Sequence, residues 1–144
     1  MRVLFLCTGN ACRSQMAEAL LRTMSRGAVE SFSAGTKPAA LNPVAIEVMR
    51  GIDIDISGQK SKHLDRFRSD KFDYVITVCD RAKDSCPTWP DAKEHIHWSF
   101  EDPARIDDPA EARRVCVAVR NEMVKRIRLF LLAHRVAVES AGSP

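Results

Sequence analysis

The segment from Cys7 to Ser14 has the residue types and the spacing of a nucleophile that faces an anion-binding loop. It reads Cys-Thr-Gly-Asn-Ala-Cys-Arg-Ser and lies between a short apolar run and a segment with helical spacing. At a helix start, unpaired backbone N–H groups and the helix dipole favour an anion. The five residues between Cys7 and Arg13 are enough to wrap the backbone around an ion the size of phosphate. We therefore predict a cradle for a tetrahedral oxyanion, with the Cys7 thiolate as the attacking group.

Other residues of this loop each suit a part of such a site. Arg13 can clamp two oxygens of the anion at once, and Ser14 can donate a hydrogen bond to the thiolate or to the leaving thiol. Gly9 permits the turn, whereas Asn10 tolerates a left-handed conformation and can brace the loop with its amide. The alternative is a buried structural cysteine beside an ordinary helix start. The predicted substrate-binding residues are Thr8, Gly9, Asn10, Ala11, Cys12 and Arg13.

A proton donor for the departing oxygen is expected in the loop after the fourth predicted strand. Two Asp-Pro pairs compete for this role. Asp108 and Pro109, followed by Glu111, have the pattern of a cap, a first-turn proline and an N3 acid of a helix. We therefore assign the acid to Asp102, which precedes Pro103, with a plain turn aspartate as the alternative.

Cys79 and Cys86 form a second pair of thiols, one at a strand end and one in the segment after it. In a helix their Cα atoms would lie about 10 Å apart, beyond the roughly 7 Å limit for a disulfide. A bond between them would require this segment to unwind, which suggests a redox relay. The alternative is a zinc site of Cys79, Cys86, His95 and His97, whose spacing matches no common pattern.

Composition favours one cytoplasmic domain with reduced thiols. The chain has 144 residues, a net charge of +3 and five cysteines. Its first apolar run is too short for an export signal, and no run approaches the roughly 20 residues of a membrane span. Of the remaining cysteines, Cys12 either forms a protective disulfide with Cys7 or only packs, and Cys116 is expected in the core. The weak positive charge suits an anionic substrate and gives no support for nucleic-acid binding.

The elements that must position these residues alternate between strands and helices. Strands are predicted at residues 3–6, 29–33, 72–79 and 96–100, and helices at 14–24, 43–49, 61–67 and from 109 onwards. This alternation predicts a single α/β domain over residues 1–136, with a doubly wound, four-stranded parallel sheet, and a flexible tail over 137–144. Ligands of such sheets bind beyond the carboxyl ends of the strands, where Cys7, Cys79 and Asp102 fall.

The last predicted helix has an apolar stripe and a basic face. The stripe is expected to face the core and consists of Ala112, Cys116, Val119, Met123, Ile127 and Leu131. The basic residues are expected in solvent and are Arg113, Arg114, Arg120, Lys125, Arg126 and Arg128.

Further motifs are spread over the chain. They are Ser-Ala-Gly at 33–35, Asp-Ile-Asp-Ile-Ser at 53–57, Val-Cys at 78–79, Cys-Pro at 86–87 and His-Trp-Ser-Phe-Glu-Asp-Pro-Ala at 97–104. Together with Cys-Thr-Gly-Asn-Ala-Cys-Arg-Ser-Gln-Met-Ala-Glu at 7–18, these motifs make the chain resemble the thioredoxin-coupled arsenate reductases that are built on the low-molecular-weight protein tyrosine phosphatase fold. The first motif alone indicates only the wider phosphatase-like superfamily, and Cys79 with Cys86 indicates the reductases.

The resemblance implies a relay of cysteines. Cys7 attacks arsenate, for which phosphate and sulfate are mimics, while Arg13 holds the oxyanion and Asp102 protonates the departing oxygen. Cys79 then attacks Cys7, so arsenite leaves and a Cys7–Cys79 disulfide forms. Cys86 next attacks Cys79, and thioredoxin reduces the resulting Cys79–Cys86 disulfide. No metal and no tightly bound cofactor is implied, and a monomer with weak phosphatase side activity is expected.

Two departures and two rival functions accompany this resemblance. Ala104 and Arg105 stand where phosphatases of this fold usually have tyrosines. Lys60 and Lys62 occupy a region that supplies part of a potassium site in some reductases, so we expect no potassium requirement. The rival functions are a phosphatase that hydrolyses phosphomonoesters through a Cys7 phosphocysteine, and a non-enzymatic oxyanion or redox sensor.

Overall fold

Four parallel strands form one sheet in the order β2-β1-β3-β4. The computed structural model describes residues 1–79 and 88–139. The strands are β1 (Arg2–Cys7), β2 (Glu30–Gly35), β3 (Tyr74–Thr77) and β4 (Glu94–His97). The α-helices in the described residues are α1 (Arg13–Met24), α2 (Pro43–Arg50) and α3 (Pro109–Ala133), and short 3-10 turns span Leu64–Phe67 and Pro103–Arg105. The predicted α/β architecture is confirmed.

The strand order reverses at β1, which pairs with β2 on one side and with β3 on the other. Phe5, for example, lies between Ser33 and Ile76. From Val3 to Cys7 the strand is buried, as expected for a parallel strand covered on both faces. The carboxyl ends of β1 and β3 therefore flank the crevice in which such sheets bind ligands.

Each face of the sheet has its own cover. Ser31 in β2 donates a hydrogen bond to the Glu18 carbonyl of α1 at 2.9 Å, and α3 packs against both α1 and α2. The next residue, Phe32, points to the other face, where its ring meets those of Phe67 and Phe72. Two layers therefore enclose the sheet, as the doubly wound prediction requires.

Helix α3 begins and packs as predicted, with one exception on its basic face. Asp108 caps it by accepting from the Glu111 N–H at 3.0 Å, and Pro109 occupies the first turn. All the predicted stripe residues are buried. The expectation that Arg120 is solvated is wrong: it is only 2% exposed, and its Nη1 donates to the Val48 carbonyl at 2.9 Å. This partner on α2 explains how a guanidinium is accommodated in the core.

Several predicted boundaries are wrong because burial outside the sheet produces the same apolar pattern as a strand. Strand β3 ends before Cys79, since the chain leaves the sheet after the Val78 N–H donates to the Leu6 carbonyl. Strand β4 covers residues 94–97 rather than 96–100; Trp98 lies beyond it and packs against the rings of Phe5 and Phe130.

The predicted helix over 61–67 is a 3-10 turn that starts later. His63 caps this turn by accepting from the Asp65 N–H at 3.0 Å. Ser61, expected as the cap, instead donates from its hydroxyl to the Asn10 carbonyl at 2.7 Å. Ser61 therefore helps to hold the backbone of the oxyanion loop in place.

The chain after α3 returns to the end of α1. The Glu139 N–H donates to the Met24 carbonyl at 2.7 Å, and the Glu139 carboxylate pairs with Arg26. Residues 140–144 lie outside the described part of the chain, so the tail over 137–144 stays a prediction. In the described residues we find no helix with the length and apolar content of a membrane span.

Candidate active site

The backbone carbonyl groups of the loop between β1 and α1 accept hydrogen bonds from neighbouring segments. The segment after β2 runs beside the loop, and the N–H groups of residues 37, 39 and 42 donate to the carbonyls of Thr8, Gly9 and Ala11 at 2.8–2.9 Å. The Asn10 carbonyl accepts from Ser61 and Gln15. Carbonyl oxygens that would repel an anion are therefore satisfied away from the centre of the loop.

The start of α1 leaves its first N–H groups available for an anion. The Cys12 side chain makes no capping hydrogen bond, and the Met16 N–H is the donor that pairs with the Cys12 carbonyl. The N–H groups before Met16 have no partner within the helix. Asn10 adopts the predicted left-handed conformation, with φ 48°, and its N–H donates to Cys7 Sγ at 3.2 Å. The geometry of an oxyanion cradle is therefore present.

A chain of hydrogen bonds ends on the Cys7 sulfur. Ser14 Oγ lies 2.8 Å from Cys7 Sγ, and Asn10 Nδ2 donates to Ser14 Oγ at 2.8 Å and to Ser33 Oγ at 2.9 Å. The Lys62 N–H donates to Asn10 Oδ1 at 2.9 Å and thereby fixes the orientation of this amide. Because the Ser14 oxygen accepts from Asn10, its own proton is free to be donated to Cys7. Such a donor stabilises the thiolate.

Glu18 lies at the far end of this chain. Its Oε1 accepts from Ser33 at 2.7 Å, its Oε2 pairs with Arg22 at 3.0 Å, and Lys62 Nζ lies 3.7 Å from Oε1. Burial lowers the pKa of Lys62, and the Glu18 carboxylate opposes this effect. The buried carboxylate is therefore compensated by two cations and anchors the Ser33–Asn10 part of the network.

Arg13 is held beside the loop by the segment after β4. Its Nη1 donates to the Phe100 carbonyl at 3.0 Å, and its Nη2 lies 3.3 Å from Asp102 Oδ2. Asp102 also accepts from the Ala104 N–H at 3.0 Å and so caps the 3-10 turn that follows. Asp102 therefore lies beside the oxyanion loop, as predicted for the acid, and it also has the turn role that the sequence offered as the alternative.

Cys79 lies over the same loop. Its Sγ is 3.4 Å from Thr8 Oγ1, and the residue is only 4% exposed. One cavity of about 630 Å³ brings most of the predicted residues together; it is lined among others by Cys7, Thr8, Gly9, Ala11, Cys12, Arg13, Cys79 and Asp102. Asn10 and Ser14 are buried behind this wall. Cys86 lies outside the described residues.

The four cysteines within the described residues are buried and unbridged. Cys7, Cys12, Cys79 and Cys116 are free thiols, and Cys116 lies in the core as predicted. The zinc alternative includes Cys86 and so lies partly outside the described residues, among which no group of three or more His, Cys, Asp or Glu side chains is arranged for a metal. In that part of the chain, His95 accepts from the Trp89 N–H and His97 pairs with Thr77.

Sequence reasoning misjudged which glycine the loop requires. Gly9 does not have a positive φ, and a Cβ there would meet Ala11 and Ala39 at an ordinary 3.7 Å. A Cβ on Gly35, by contrast, would lie 2.4 Å from the Thr8 carbonyl oxygen and 2.9 Å from the Asn10 nitrogen. The left-handed turn belongs to Asn10, and Gly35 lets β2 approach the loop. The Ser-Ala-Gly motif carried the signal for Gly35 and Ser33, whereas Glu18 and Gln15 are ordinary polar residues in the sequence of a helix.

Comparison with known proteins places this geometry in context. Residues 2–141 match the family described as low molecular weight phosphotyrosine protein phosphatase. A protein named arsenate reductase from Oceanobacillus iheyensis is 43% identical over 129 residues, which cover 89% of this chain and 93% of that protein.

Solved structures agree with the sequence comparison. A structure described as an arsenate reductase in the phosphate binding state superposes with a TM-score of 0.80 at 32% identity, covering 94% of this chain and 98% of that chain. An arsenate reductase in the oxidized state superposes with a TM-score of 0.79 at 30% identity, covering 92% of this chain and 97% of that chain.

Proposed function

Since the chain belongs to the low molecular weight phosphotyrosine protein phosphatase family, we propose that it uses the oxyanion loop to reduce arsenate to arsenite. The observation that carries the proposal is a second thiol in the nucleophile's cavity. A phosphatase needs one thiol, which water regenerates, whereas a reductase needs further thiols that supply two electrons. Cys79 lines the cavity together with Cys7.

In the first step the Cys7 thiolate attacks arsenic, and an As–O bond breaks. The backbone N–H groups of the loop and the Arg13 guanidinium hold the remaining oxygens. Asp102 gives a proton to the departing oxygen, which leaves as water. Ser14 and the Asn10 N–H stabilise the thiolate before attack.

In the second step the Cys79 thiolate attacks the Cys7 sulfur. The S–As bond breaks and its electron pair stays on arsenic, which leaves as arsenite with a Cys7–Cys79 disulfide behind. The hydroxyl of Thr8, which lies 3.4 Å from Cys79 Sγ, is placed to donate to this second thiolate. Cys86 then attacks Cys79, which frees Cys7 and moves the disulfide to Cys79–Cys86.

Reducing equivalents are proposed to come from thioredoxin, through exchange with the Cys79–Cys86 disulfide. We also propose that the protein works as a monomer in the cytoplasm, where thiols are kept reduced.

Steady-state turnover tests this relay. With thioredoxin, thioredoxin reductase and NADPH, the wild-type protein is expected to consume NADPH continuously when arsenate is added. Cys86→Ser is expected to lose continuous turnover, because the Cys7–Cys79 disulfide can no longer move outward. Undiminished turnover of Cys86→Ser would contradict the relay.

Phosphatase activity is the second candidate, favoured by the family to which the chain belongs. It would use Cys7, Arg13 and Asp102 and would be indifferent to Cys79→Ser. Weak hydrolysis of aryl phosphates is expected as a side activity, because phosphate and arsenate have the same shape and charge. Rates on aryl phosphates far above those on arsenate would make hydrolysis the principal function.

A further inference from the structure

Cys12 and Cys116 form a buried pair of thiols for which the proposed reaction has no use. Cys12 is the residue before α1, and Cys116 lies on the core face of α3, which packs against α1 beside Met16, one helical turn after Cys12. The two thiols are therefore neighbours at the crossing of these helices. Both are free, with exposures of 6% and 0%. Cys116 Sγ also donates to Met16 Sδ at 3.8 Å. Three sulfur atoms thus gather at this helix crossing.

This sulfur cluster borders the active-site cavity. Cys12 lines the cavity, whereas Cys116 lies behind it in the core. An agent that enters the cavity therefore meets Cys12 first, and it reaches Cys116 only through the core.

The pair is poised to provide a thiolate. Interaction with the Cys116 sulfur, and then burial, raise the pKa of Cys12 well above its ordinary value. The Cys12 thiol and the nearby Arg120 guanidinium lower the pKa of Cys116. Arg120 is held in place by the Val48 carbonyl at 2.9 Å. Of the two thiols, Cys116 is therefore the more readily deprotonated.

We propose that Cys12 and Cys116 bind trivalent arsenic, including the arsenite that the proposed function releases into the adjoining cavity. Soft sulfur ligands select soft, thiophilic ions, and two neighbouring thiols can bridge one arsenic atom. Arsenous acid condenses with both thiols, forming two S–As bonds and releasing two water molecules. Arsenic stays trivalent and keeps one hydroxyl group, so no oxidant or reductant is consumed.

Binding at this pair would feed back on the oxyanion loop. Cys12 precedes Arg13 in the loop that surrounds the anion. An arsenic atom on Cys12 would therefore disturb both the Arg13 side chain and the loop backbone. The site thus rests on the proposed function for its ligand, and its occupancy would inhibit arsenate turnover.

A chain that retains only this pair tests the binding. In Cys7→Ser/Cys79→Ser/Cys86→Ser, we expect sodium arsenite to add one arsenic per chain in native mass spectrometry and to remove both remaining thiols from titration. Adding Cys116→Ser as the matched control is expected to weaken binding at least tenfold, because one thiol cannot chelate. Binding that Cys116→Ser leaves unchanged would overturn the proposal.

The wild-type protein provides a second test that does not depend on how the multiple variant folds. Arsenite is expected to protect Cys12, which lines the cavity, from N-ethylmaleimide in the wild-type protein but not in the single variant Cys116→Ser, as mapped by peptide mass spectrometry. Protection confined to Cys7 and Cys79, or equal protection of Cys12 in the wild-type protein and in Cys116→Ser, would overturn it. Because the triple variant cannot reduce arsenate, arsenite binding there with failed wild-type turnover would refute the proposed function alone. Turnover without binding would refute this site alone.

Discussion

At the scale of single residues, the reactivity of Cys7 depends on Ser14, which the sequence predicts, and on a hydrogen-bond network that the sequence does not reveal. The order Cys-Thr-Gly-Asn-Ala-Cys-Arg-Ser predicted the loop because each residue acts near its own position in the chain. The roles of Ser33 and Glu18 are not visible in the sequence, because the contacts of Ser33 with Asn10 and with Glu18 form only when β2 packs beside α1. Local chemistry was therefore predictable, and its support from a distant element was not.

Ser14→Ala is expected to slow alkylation of Cys7 by iodoacetamide at neutral pH by about tenfold or more. A hydrogen bond to a charged group contributes about 1.5–3 kcal/mol, and 1.4 kcal/mol corresponds to a factor of ten. Mass spectrometry of the Cys7 peptide measures the rate. Ser31→Ala is the matched control, because that hydroxyl donates to the Glu18 carbonyl and takes no part in the network at Cys7. Equal rates in the two variants would show that Ser14 does not support the thiolate.

Asp102→Asn distinguishes the role of Asp102 as a proton donor from its role as the cap of the 3-10 turn. Asparagine can still accept from the Ala104 N–H and cap the 3-10 turn, but it cannot give up a proton. We expect single-turnover arsenite release to slow by about 10²–10⁴-fold, whereas the melting temperature falls only slightly through the loss of the ion pair with Arg13. Asp108→Asn, which alters the cap of α3, is expected to leave the rate unchanged. A rate within twofold of wild type in Asp102→Asn would reduce Asp102 to a turn residue.

At the scale of elements, the strand and helix patterns predicted the order of the fold, and packing set the boundaries. Residues 3–6 were recognised as a strand because a parallel strand buried on both faces is uniformly apolar. Trp98 and Phe100 have the same apolar character but are buried outside β4, which sequence alone cannot distinguish. Arg120 looked like a surface residue because its partner, the Val48 carbonyl, belongs to another helix.

Gly35→Ala is expected to impair the loop from the neighbouring strand. The added Cβ would lie 2.4 Å from the Thr8 carbonyl oxygen, so the backbone of the loop or of β2 must move. Overpacking of this kind costs about 1–3 kcal/mol, and we expect a higher KM for arsenate together with a lower unfolding midpoint in urea. The matched control is Gly58→Ala, where nothing lies within 4 Å of the new Cβ. Similar KM values for the two variants would contradict this role of Gly35.

Arg120→Ala is expected to lower the free energy of unfolding by about 1–3 kcal/mol, because it leaves the Val48 carbonyl without its buried donor. Arg113→Ala is the control on the same helix. Its exposed ion pair with Glu47 is expected to contribute about 0–1 kcal/mol. Urea unfolding measures the free energy of unfolding of both variants. An equal loss of stability in each would show that the buried contact of Arg120 contributes no more than the exposed ion pair of Arg113.

At the scale of the whole molecule, the sheet collects residues that are far apart in the sequence. Cys7 ends β1, Cys79 follows β3 and Asp102 follows β4, and all three line one cavity at the carboxyl edge of the sheet. This convergence was predictable, because parallel strands share the edge at which they end. The contact between Thr8 and Cys79 was not, since it depends on how the chain turns after leaving β3.

A single-turnover assay tests the central claim, that electrons pass from protein thiols to arsenate, most directly. The fully reduced protein is mixed with excess arsenate in the absence of any other reductant, and the arsenite formed is counted. We predict one arsenite per chain in the wild-type protein and in Cys86→Ser, and none in Cys7→Ser or Cys79→Ser. Arsenite release that persists in Cys79→Ser, or a wild-type protein that releases none while hydrolysing aryl phosphates, would contradict the account.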